Sequence, residues 1–459
     1  MHIHILGICG SFMTGIARVA REMGHVVTGA DANAYPPMST QLAAMGISIQ
    51  HGYDSDAVPP DADLVIVGNA LTRGIPVIER ILAERIPYIS GPQWLHQQLL
   101  RERSLISIAG THGKTTTSSM TAWILEAAGL EPGFLIGGMP GNFDTSARLG
   151  KDPHFVIEAD EYDTAFFDKR AKFVHYPATT LIINNLEHDH VDIYPRIEDI
   201  IYQFHHGVRL VPATGHIICA GEDCQHIDRV LAMGCWSTVE RTGLEHNDWW
   251  AKLHTADASH FSVLRADEEA GEVRWSCIGA HNVRNALSAI AAAAHAGVDP
   301  VTACAVLADF KLPTRRHEFF ANAHGVDIYL DFAHHPTAVA QTLAALRHRT
   351  RGRLLAVVDP RSNTMRAGTH LPALGEALKC ADHAWLLARP DLKWDARHLV
   401  AGQNSITVAA DESELVHSLG AAAQSTDLIV IMSNGDSAEL GRQVAASLVQ
   451  TEFTEYEQH

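Results

Sequence analysis

The sequence lacks the cysteine pattern of a disulfide-bonded or zinc-binding protein. Its seven cysteines are an odd number, stand apart and form no C-x-x-C pair. Neither a disulfide framework nor a zinc ribbon is therefore expected, and this cysteine usage is typical of a reducing compartment. We expect a chain that folds on its hydrophobic core alone.

Long hydrophobic runs are also missing. Residues 1–15 contain no basic stretch and no cleavage site, and the apolar run at 286–294 is alanine-rich and stops at His295. A membrane-spanning helix needs about 20 consecutive apolar residues. The sequence thus predicts neither export nor membrane insertion, and it favours a cytoplasmic location.

An excess of positive charge is absent as well. The 35 Lys and Arg residues face 53 Asp and Glu residues, which gives a net charge of −18 with the 29 histidines neutral. Such a surface repels nucleic-acid phosphates and anionic membranes, so a nucleic-acid partner is not expected. The histidine content is unusual, and most of these side chains must be solvated or structural.

What is present is the composition of a large globular protein. The chain has 459 residues, 46% hydrophobic and 19% charged, enough for about three domains. Short apolar runs alternate with amphipathic stretches, which is typical of open, mainly parallel sheets covered by helices. We predict an α/β fold with domains at 1–103, 104–313 and 314–459.

Individual elements follow from local signals. We predict strands at 3–7, 26–30, 47–51, 64–68, 105–109, 155–159, 181–184, 326–330, 354–358, 384–388 and 428–432, and an antiparallel pair at 260–265 and 272–277 joined by an acidic turn at 266–271. Gly24 is expected to end the first helix, Asp299 with Pro300 to begin another, and Asp411 with Glu414 to form a capping box.

The strongest motif is Gly110-Thr-His-Gly-Lys-Thr-Thr116, between a predicted strand and a helix. Successive backbone N–H groups, a helix N-terminus and one lysine are what a phosphate needs. The usual P-loop spacing would place glycine at 108, where this chain has Ile108, so the turn is a shortened variant. The alternative is a glycine-rich loop without function.

Acidic groups follow the next two strands of the same region. Glu158-Ala-Asp-Glu161 offers the hard oxygen ligands that magnesium prefers, although a solvated acidic loop has the same composition. The segment 185–192, Asn-Leu-Glu-His-Asp-His-Val-Asp, follows the second strand. Its His190 is a candidate metal ligand, and the alternative is a surface or core histidine.

A second glycine-containing turn lies at the start of the chain. Gly7, Gly10 and Gly15 surround a strand-to-helix turn, but Cys9 and Phe12 replace the second and third glycines of G-x-G-x-x-G. The turn indicates a pyrophosphate-containing ligand and does not indicate a redox cofactor.

Three further motifs follow along the chain: Gly279-Ala-His-Asn282 with Asn285, Arg315-Arg316, and Asp331-Phe-Ala-His-His-Pro336. Together with the earlier motifs, they resemble the Mur ligase family in type and order over nearly the whole chain. Singly, each of the last three fits a cap, a surface pair or a turn. The resemblance implies an N-terminal Rossmann-like domain for a UDP-sugar, a central ATPase-type domain and a C-terminal Rossmann-like domain for the peptide. It also implies ATP and Mg²⁺ as cofactors.

The resemblance assigns roles residue by residue. It implies catalytic roles for Lys114, Glu158, His190, Arg315 and Asp331; ATP binding by Gly110, Thr111, His112, Gly113, Lys114, Thr115, Thr116, Asn282, Asn285, Arg315 and Asp331; UDP-sugar binding by Gly7, Cys9, Gly10, Ser11, Asp31, Asn69 and His112; peptide binding by His334, Arg361 and Asn363; and metal binding by Thr115, Glu158 and His190. Several members carry a carbamylated lysine after the metal histidine, but no lysine occurs here between Lys172 and Lys252.

Six segments are similar to the Mur ligase family members that use a tripeptide: 7–13, 35–40, 90–96, 166–170, 360–365 and 432–435. The resemblance thus implies an ATP-dependent ligase that joins UDP-N-acetylmuramate to L-Ala-γ-D-Glu-meso-diaminopimelate through an acyl phosphate, in bacterial peptidoglycan recycling. The alternative acceptor is L-alanine. A dehydrogenase fails on the glycine spacing, and a nucleotide-gated binding module would yield no product. A monomer or weak homo-oligomer is expected.

Overall fold

The computed structural model describes residues 1–35, 38–400 and 405–450. It contains three consecutive α/β units, each built on its own mainly parallel sheet, so the predicted fold class is confirmed. Within the described residues, no helix has the length and apolar character needed to cross a bilayer.

The first unit is a five-stranded parallel sheet in the order β3-β2-β1-β4-β5. Its elements are β1 His2–Leu6, α1 Ser11–Glu22, β2 Val26–Asp31, α2 Met38–Ala44, β3 Ile49–His51, β4 Leu64–Val67, α3 Pro76–Glu84, β5 Tyr88–Ser90 and α4 Gly91–Gln98. As predicted, Gly24 follows the end of α1 with a φ of 86°, a left-handed conformation that glycine adopts without strain.

The second unit has a ten-stranded sheet in the order β17-β16-β15-β14-β13-β12-β6-β9-β7-β8. Its strands are β6 Ser104–Ala109, β7 Gly133–Leu135, β8 Ala147–Arg148, β9 His154–Glu158, β12 Thr180–Ile183, β13 His216–Ala220, β14 Thr238–Gly243, β15 Trp249–Leu253, β16 His260–Arg265 and β17 Glu268–Arg274; β10 Asp163–Ala165 and β11 Asp168–Ala171 form a separate hairpin. Its helices are α5 Lys114–Ala127, α6 Ile197–Val208, α7 Gln225–Ala232, α8 Ala280–His295 and α9 Pro300–Val306.

The register of the central strands positions the nucleotide motif. Strand β6 lies between β9 and β12, all parallel, with Ile108 opposite Glu158 and Ala109 opposite Ile183. The residues that follow these three strands therefore meet at one edge of the sheet, where ligands bind in open α/β folds.

The predicted acidic turn at 266–271 is wrong. Strand β17 begins at Glu268, and Arg265 pairs with Glu268 across a two-residue turn. Ala266 adopts a positive φ of 51°, as tight hairpin turns require. A bulge between Val263 and Leu264 then absorbs the extra residue, so Glu268 and Glu269 belong to the strand and Asp267 stays in the turn.

The third unit is a six-stranded sheet in the order β18-β19-β23-β20-β21-β22, parallel except for β18. Its elements are β18 Glu318–Ala323, β19 Val326–Asp331, α10 Pro336–Arg347, β20 Leu354–Asp359, α11 Asn363–Ala367, α12 Leu371–Leu378, β21 His383–Leu387, α13 Arg397–Val400, β22 Ile406–Ala409, α14 Glu412–Ala422, β23 Leu428–Ser433 and α15 Ser437–Gln450. The predicted N-caps are present, since Asp299 accepts from Thr302 N and Asp411 from Glu414 N. The capping box is incomplete, because the Glu414 carboxylate accepts from Ala410 N in place of Asp411 N.

Candidate active site

The glycine-rich turn leads directly from β6 into α5. Gly110 and Gly113 have positive φ values of 135° and 78°. A Cβ on Gly113 would lie 2.6 Å from Oδ1 of Asn285 at the start of α8. Glycine is needed there because both the conformation and the close approach of α8 exclude a side chain. Thr111 and His112 lie in the same turn, and Thr116 lies in the first turn of α5. The predicted ATP-binding segment 110–116 therefore packs against Asn285.

Lys114 is held as a cation inside this turn. Its Nζ donates to the Gly110 carbonyl at 2.7 Å and to Glu161 Oε2 at 2.8 Å, and Asp160 lies 3.9 Å away. Burial alone would lower the pKa of Lys114, but the carboxylates of Glu161 and Asp160 outweigh it and raise that pKa. The charged amine of Lys114 therefore lies in the turn where a phosphate is predicted to bind.

Glu158 and Thr115 form the first part of the predicted metal site. Thr115 Oγ1 donates to Glu158 Oε1 at 2.8 Å, and the Gly137 N–H donates to the other oxygen at 2.6 Å. Burial, reinforced by Asp160, raises the pKa of Glu158. A buried carboxylate next to a hydroxyl at a helix N-terminus is a donor set that fits a magnesium ion.

His190 meets a different carboxylate. Its Nε2 lies 2.8 Å from Glu161 Oε1, so Glu161 bridges His190 and Lys114. Burial would lower the pKa of His190, but Glu161 raises it, while the two cations hold the pKa of Glu161 at about 2. The predicted ligands Thr115 and Glu158 are thus in direct contact, whereas His190 is linked through Glu161 to Lys114.

Asn282, the other asparagine of the α8 motif, is buried and donates from Nδ2 to the Ile278 carbonyl at 2.8 Å. Its amide therefore secures the turn that begins α8. Asn285, one helical turn later, is the member of the pair that contacts the phosphate turn.

The N-terminal turn is organised by Asp31. Its Oδ2 accepts from the Cys9 N–H at 2.8 Å, and its Oδ1 accepts from Asn33 N at 3.0 Å. Gly7 is in the left-handed region, Gly10 caps α1 and Ser11 is the first residue of that helix. Asn69 follows β4 at the same edge. Burial, with the nearby Asp31, raises the pKa of the Cys9 thiol to about 11, so Cys9 is not a reactive thiolate.

Lys172 connects this turn to the acidic motif, and the sequence analysis missed it. The side chain is buried, and its Nζ lies 3.2 Å from Asp160 Oδ2 and 4.8 Å from the ring centroid of Phe12 in α1. Asp160 is thereby shared between Lys172 and Lys114. Two lysines, one of them beside α1 of the first unit, are consequently linked by one carboxylate.

The third unit contacts the second through Glu187. His112 Nε2 lies 3.0 Å and His335 Nδ1 3.2 Å from Glu187 Oε2, and Thr337 Oγ1 donates to the same carboxylate at 2.8 Å. Burial lowers the pKa of His335, and the partners of Glu187 hold the pKa of that carboxyl low. Glu187 is part of the motif at 185–192, but its partner in another unit left no signal in the sequence.

A second line of contacts joins the same units. Thr364 Oγ1 donates to Asp189 at 2.5 Å and Asn363 Nδ2 donates to Asp192 at 2.8 Å. His334 is half-buried nearby, and desolvation by the surrounding protein lowers its pKa to about 4. Of the predicted peptide-binding residues, His334 and Asn363 therefore lie at the junction between the units.

Arg361 is the third predicted peptide-binding residue. Its Nε donates to Asp359 at 2.7 Å, and 40% of its side chain is exposed. Asp359 also accepts two hydrogen bonds from Arg389. One edge of the Arg361 guanidinium is thus fixed by Asp359, and its Nη2 on the exposed side lies 3.7 Å from Glu412 Oε1.

Arg315 and Asp331 have partners within the third unit. Arg315 donates to the Gly435 carbonyl at 2.7 Å and stacks over Phe332, while Asp331 accepts from the backbone of His317 and Ala333. Among the described residues, no hydrogen bond or ion pair connects either side chain to the nucleotide turn. Their predicted role at ATP stays a prediction.

Comparison with known proteins agrees with this geometry. Three family models match consecutive stretches: the Mur ligase family catalytic domain at 2–103, the Mur ligase middle domain at 108–293 and the Mur ligase glutamate ligase domain at 315–435.

Relatives of known structure or name share most of the chain. It is 52% identical, over 95% of both chains, to the UDP-N-acetylmuramate–L-alanyl-γ-D-glutamyl-meso-2,6-diaminoheptandioate ligase of Escherichia coli K12. A UDP-N-acetylmuramate–L-alanine ligase of Syntrophomonas wolfei is 30% identical over 96% of both chains. The crystal structure of a murein peptide ligase from Psychrobacter arcticus is 43% identical with a TM-score of 0.76, covering 98% of this chain and 99% of that one.

Proposed function

This chain belongs to the Mur ligase family, and on that premise we propose that it is an ATP-dependent ligase joining UDP-N-acetylmuramate to the tripeptide L-Ala-γ-D-Glu-meso-diaminopimelate. The observation that carries the proposal is the 52% identity, over 95% of both chains, with a ligase named for that reaction. The alternative acceptor, L-alanine, corresponds to relatives at only about 30% identity.

The reaction needs an activated carboxylate, because hydroxide is a very poor leaving group. The muramyl carboxylate attacks the γ-phosphorus of ATP, ADP leaves and an acyl phosphate forms. The amine of the peptide then attacks the acyl carbon, inorganic phosphate leaves and the amine loses a proton. Lys114 is fixed between Gly110 and Glu161. It neutralises negative charge on the phosphoryl group during its transfer.

Thr115 and Glu158 are the residues that would hold a magnesium ion, with Glu161 and His190 available for a second. When bound, magnesium shields the negative charge of the phosphates from the incoming carboxylate. The fit rests on the donor set: a threonine hydroxyl at the helix N-terminus and a buried carboxylate already in contact with it.

The two other substrates approach from opposite sides. The UDP pyrophosphate is assigned to the turn 7–11 held by Asp31, which places the muramyl group toward Lys172 and Asp160. The peptide is assigned to the third unit, with Arg361 and Asn363 at its junction with the second. Contact between the units brings the amine and the acyl phosphate together and excludes water.

An acceptor assay tests the proposal. Purified protein is given ATP and UDP-N-acetylmuramate with either the tripeptide or L-alanine, and ADP and the amide product are both measured. We expect product with the tripeptide and at least tenfold less with L-alanine. Product with L-alanine only would establish the alternative, and ADP formation without any amide would contradict a ligase.

The biological setting belongs to the same proposal. Isolated free cysteines fit a reducing compartment, and we assign the enzyme to the bacterial cytoplasm as a monomer or weak homo-oligomer that binds no nucleic acid. A ligase that accepts a whole tripeptide reuses cell-wall fragments. It would therefore contribute to peptidoglycan recycling and, through the wall, to cell shape and cell division.

A further inference from the structure

Three histidine and glutamate side chains converge in the second unit, away from the nucleotide turn. They are His216 at the start of β13, Glu240 in β14 and His295 at the end of α8, and one donor atom from each lies within 4.8 Å of the others. The proposed reaction uses none of them. They belong to the high histidine content that the ligase motifs leave unexplained.

The fold places these three side chains on one face. His216 pairs with Thr238 and Ile218 with Glu240 between the parallel strands β13 and β14. Because side chains alternate along a strand, His216 and Glu240 point to the same side of the sheet. Helix α8 covers that side and ends there with His295, so a strand start, a strand centre and a helix end supply the three groups.

The three side chains already contact one another, and one of their nitrogen atoms has no partner within the described chain. The rings of His216 and His295 stack with centroids 3.6 Å apart and an interplanar angle of 18°, and His295 Nε2 contacts Glu240 Oε2. Nδ1 of His216 is buried and has no hydrogen-bond partner within the described chain.

The second layer orients the carboxylate. Trp249 Nε1 donates to Glu240 Oε1 at 3.4 Å, and Arg265, stacked over the Trp249 ring, lies 3.7 Å from the same oxygen. Oε2 is left to face His295. Metal ligands in proteins are commonly fixed by such outer hydrogen bonds. The side chains of Glu240 and His295 are 14% and 12% exposed, so an ion can still enter from solvent.

From this geometry we infer that His216, Glu240 and His295 form a binding site for a zinc-type divalent metal ion. Two imidazoles and one carboxylate are a donor set that zinc accepts with a water in the fourth position, whereas magnesium prefers oxygen ligands alone. His295 follows Asn285 by ten residues, about 15 Å along the helix axis. The ion would therefore fasten α8 to β13 and β14 without touching the nucleotide turn.

Two other His and Glu groups are less suitable. His112, Glu187 and His335 belong to the junction at the nucleotide turn. His260 and Glu272 lie on β16 and β17, and His254 directly follows β15. His254 and Glu272 are exposed, and Arg274 donates to Glu272 at 2.9 Å. This second group serves as a control, because it has the same residue types and is more exposed than the group of His216, Glu240 and His295.

The test uses the full-length protein stripped with a chelator and titrated with Zn²⁺ or Co²⁺ alone, without nucleotide. We expect one equivalent to bind, with a rise in melting temperature and, for Co²⁺, a visible absorption band of imidazole coordination. H295N and E240Q should each weaken binding at least tenfold and remove the rise in melting temperature. H254N should change neither.

Two results would overturn the inference. One is a wild-type protein that shows no metal-dependent shift, and the other is an equivalent that persists unchanged in both H295N and E240Q. Ligase turnover and circular dichroism show whether each variant is folded. If H295N fails to fold, E240Q, which keeps the shape of the side chain, carries the test. Since the readout is metal binding, its outcome is independent of the proposed ligase activity.

Discussion

At the scale of single residues, the candidate site is an alternation of buried charges. Five side chains form a chain of contacts of 2.8 to 3.9 Å, in the order Lys172, Asp160, Lys114, Glu161 and His190. Each carboxylate lies between two cationic or protonatable groups, which offsets the cost of burying it. Removing one member leaves its neighbours buried without a partner, so single substitutions here act on more than one contact.

Lys114→Ala tests the centre of this network. We expect ATP-dependent turnover to fall at least about 100-fold, because the only cation inside the phosphate turn is lost. Binding of UDP-N-acetylmuramate, measured by calorimetry, should persist. Lys151→Ala is the control, since Lys151 is exposed and pairs with Glu131. Near wild-type turnover in Lys114→Ala would contradict the assigned role.

Arg361→Ala tests the acceptor side. A bidentate pair between guanidinium and carboxylate contributes about 1.5–3 kcal/mol, so the tripeptide KM should rise roughly 10- to 100-fold with kcat less affected. Arg397→Ala is the matched control, because Arg397 is an exposed arginine of the same unit that pairs with Asp395. An unchanged tripeptide KM would show that the peptide carboxylate binds elsewhere.

His4 predicts how stability depends on pH. It is buried in β1, where burial and the neighbouring His2 lower its pKa to about 4, and it hydrogen-bonds Thr28. A folded-state pKa below the unfolded value makes protonation favour unfolding. Stability should therefore decline as pH falls from about 6.5 to 4, by about 3 kcal/mol from this residue.

Urea denaturation at several pH values checks this expectation. His4→Gln, which can still hydrogen-bond Thr28, should lose less stability on acidification than the wild type. His51→Gln, at an exposed position, should follow the wild-type curve. Parallel curves for His4→Gln and the wild type would contradict a neutral buried His4.

At the scale of elements, function depends on where strands end. Strands β6, β9 and β12 stop within one residue of their predicted ends, so the glycine turn, the acidic motif and the segment 185–192 meet at one sheet edge. The glycine turn is narrow because α8 packs against it through Asn285. The element that shapes the phosphate turn is thus more than 160 residues away in sequence.

Gly113→Ala tests whether the close contact between the glycine-rich turn and Asn285 is needed for ATP binding. A methyl group there meets Asn285 Oδ1 at 2.6 Å and also forces alanine into a left-handed conformation, which costs about 1 kcal/mol by itself. We expect ATP binding to weaken at least tenfold while the fold persists. Gly129→Ala is a control for conformation alone, since it has a φ of 87° but no atom within 4 Å. Equal effects of the two would show that α8 does not confine the turn.

At the scale of the whole molecule, the three units are joined by contacts of different kinds. Hydrogen bonds from Thr337, Thr364 and Asn363 tie the third unit to Glu187, Asp189 and Asp192 of the second. In the first unit, Gly15 of α1 approaches Leu135 of the second so closely that a Cβ would lie 3.0 Å away. The first contact is polar and the second apolar, so we expect the third unit to move more readily.

Thr364→Val tests this closed arrangement. It removes a 2.5 Å hydrogen bond to a buried carboxylate while keeping side-chain volume. We expect a larger radius of gyration by small-angle scattering and a roughly tenfold loss in kcat/KM for the tripeptide. Thr407→Val, which removes a contact to His383 inside the third unit, should change neither. An unchanged radius and kcat/KM would show that this bond does not maintain closure.

The elements predicted from the sequence match the structure where the physical signal is local. The strand-to-helix turn at Gly110, the cap at Asp299 and the end of α1 at Gly24 each depend on a few neighbouring residues. The hairpin at 265–268 was misplaced because its register depends on a bulge in the partner strand. A run of acidic residues looks the same whether it forms a turn or an exposed strand.

The order of apolar and polar residues, through backbone propensity and burial, was enough to predict the α/β fold, and local motifs predicted a phosphate turn, an acidic metal-type motif and a second glycine turn. Only the tertiary structure showed that Glu161 joins Lys114 to His190, that Lys172 reaches Phe12, and that Glu187 receives His335. Those pairs are separated by 29 to 160 residues. Their meeting is decided by how sheets and units pack, which no local pattern encodes.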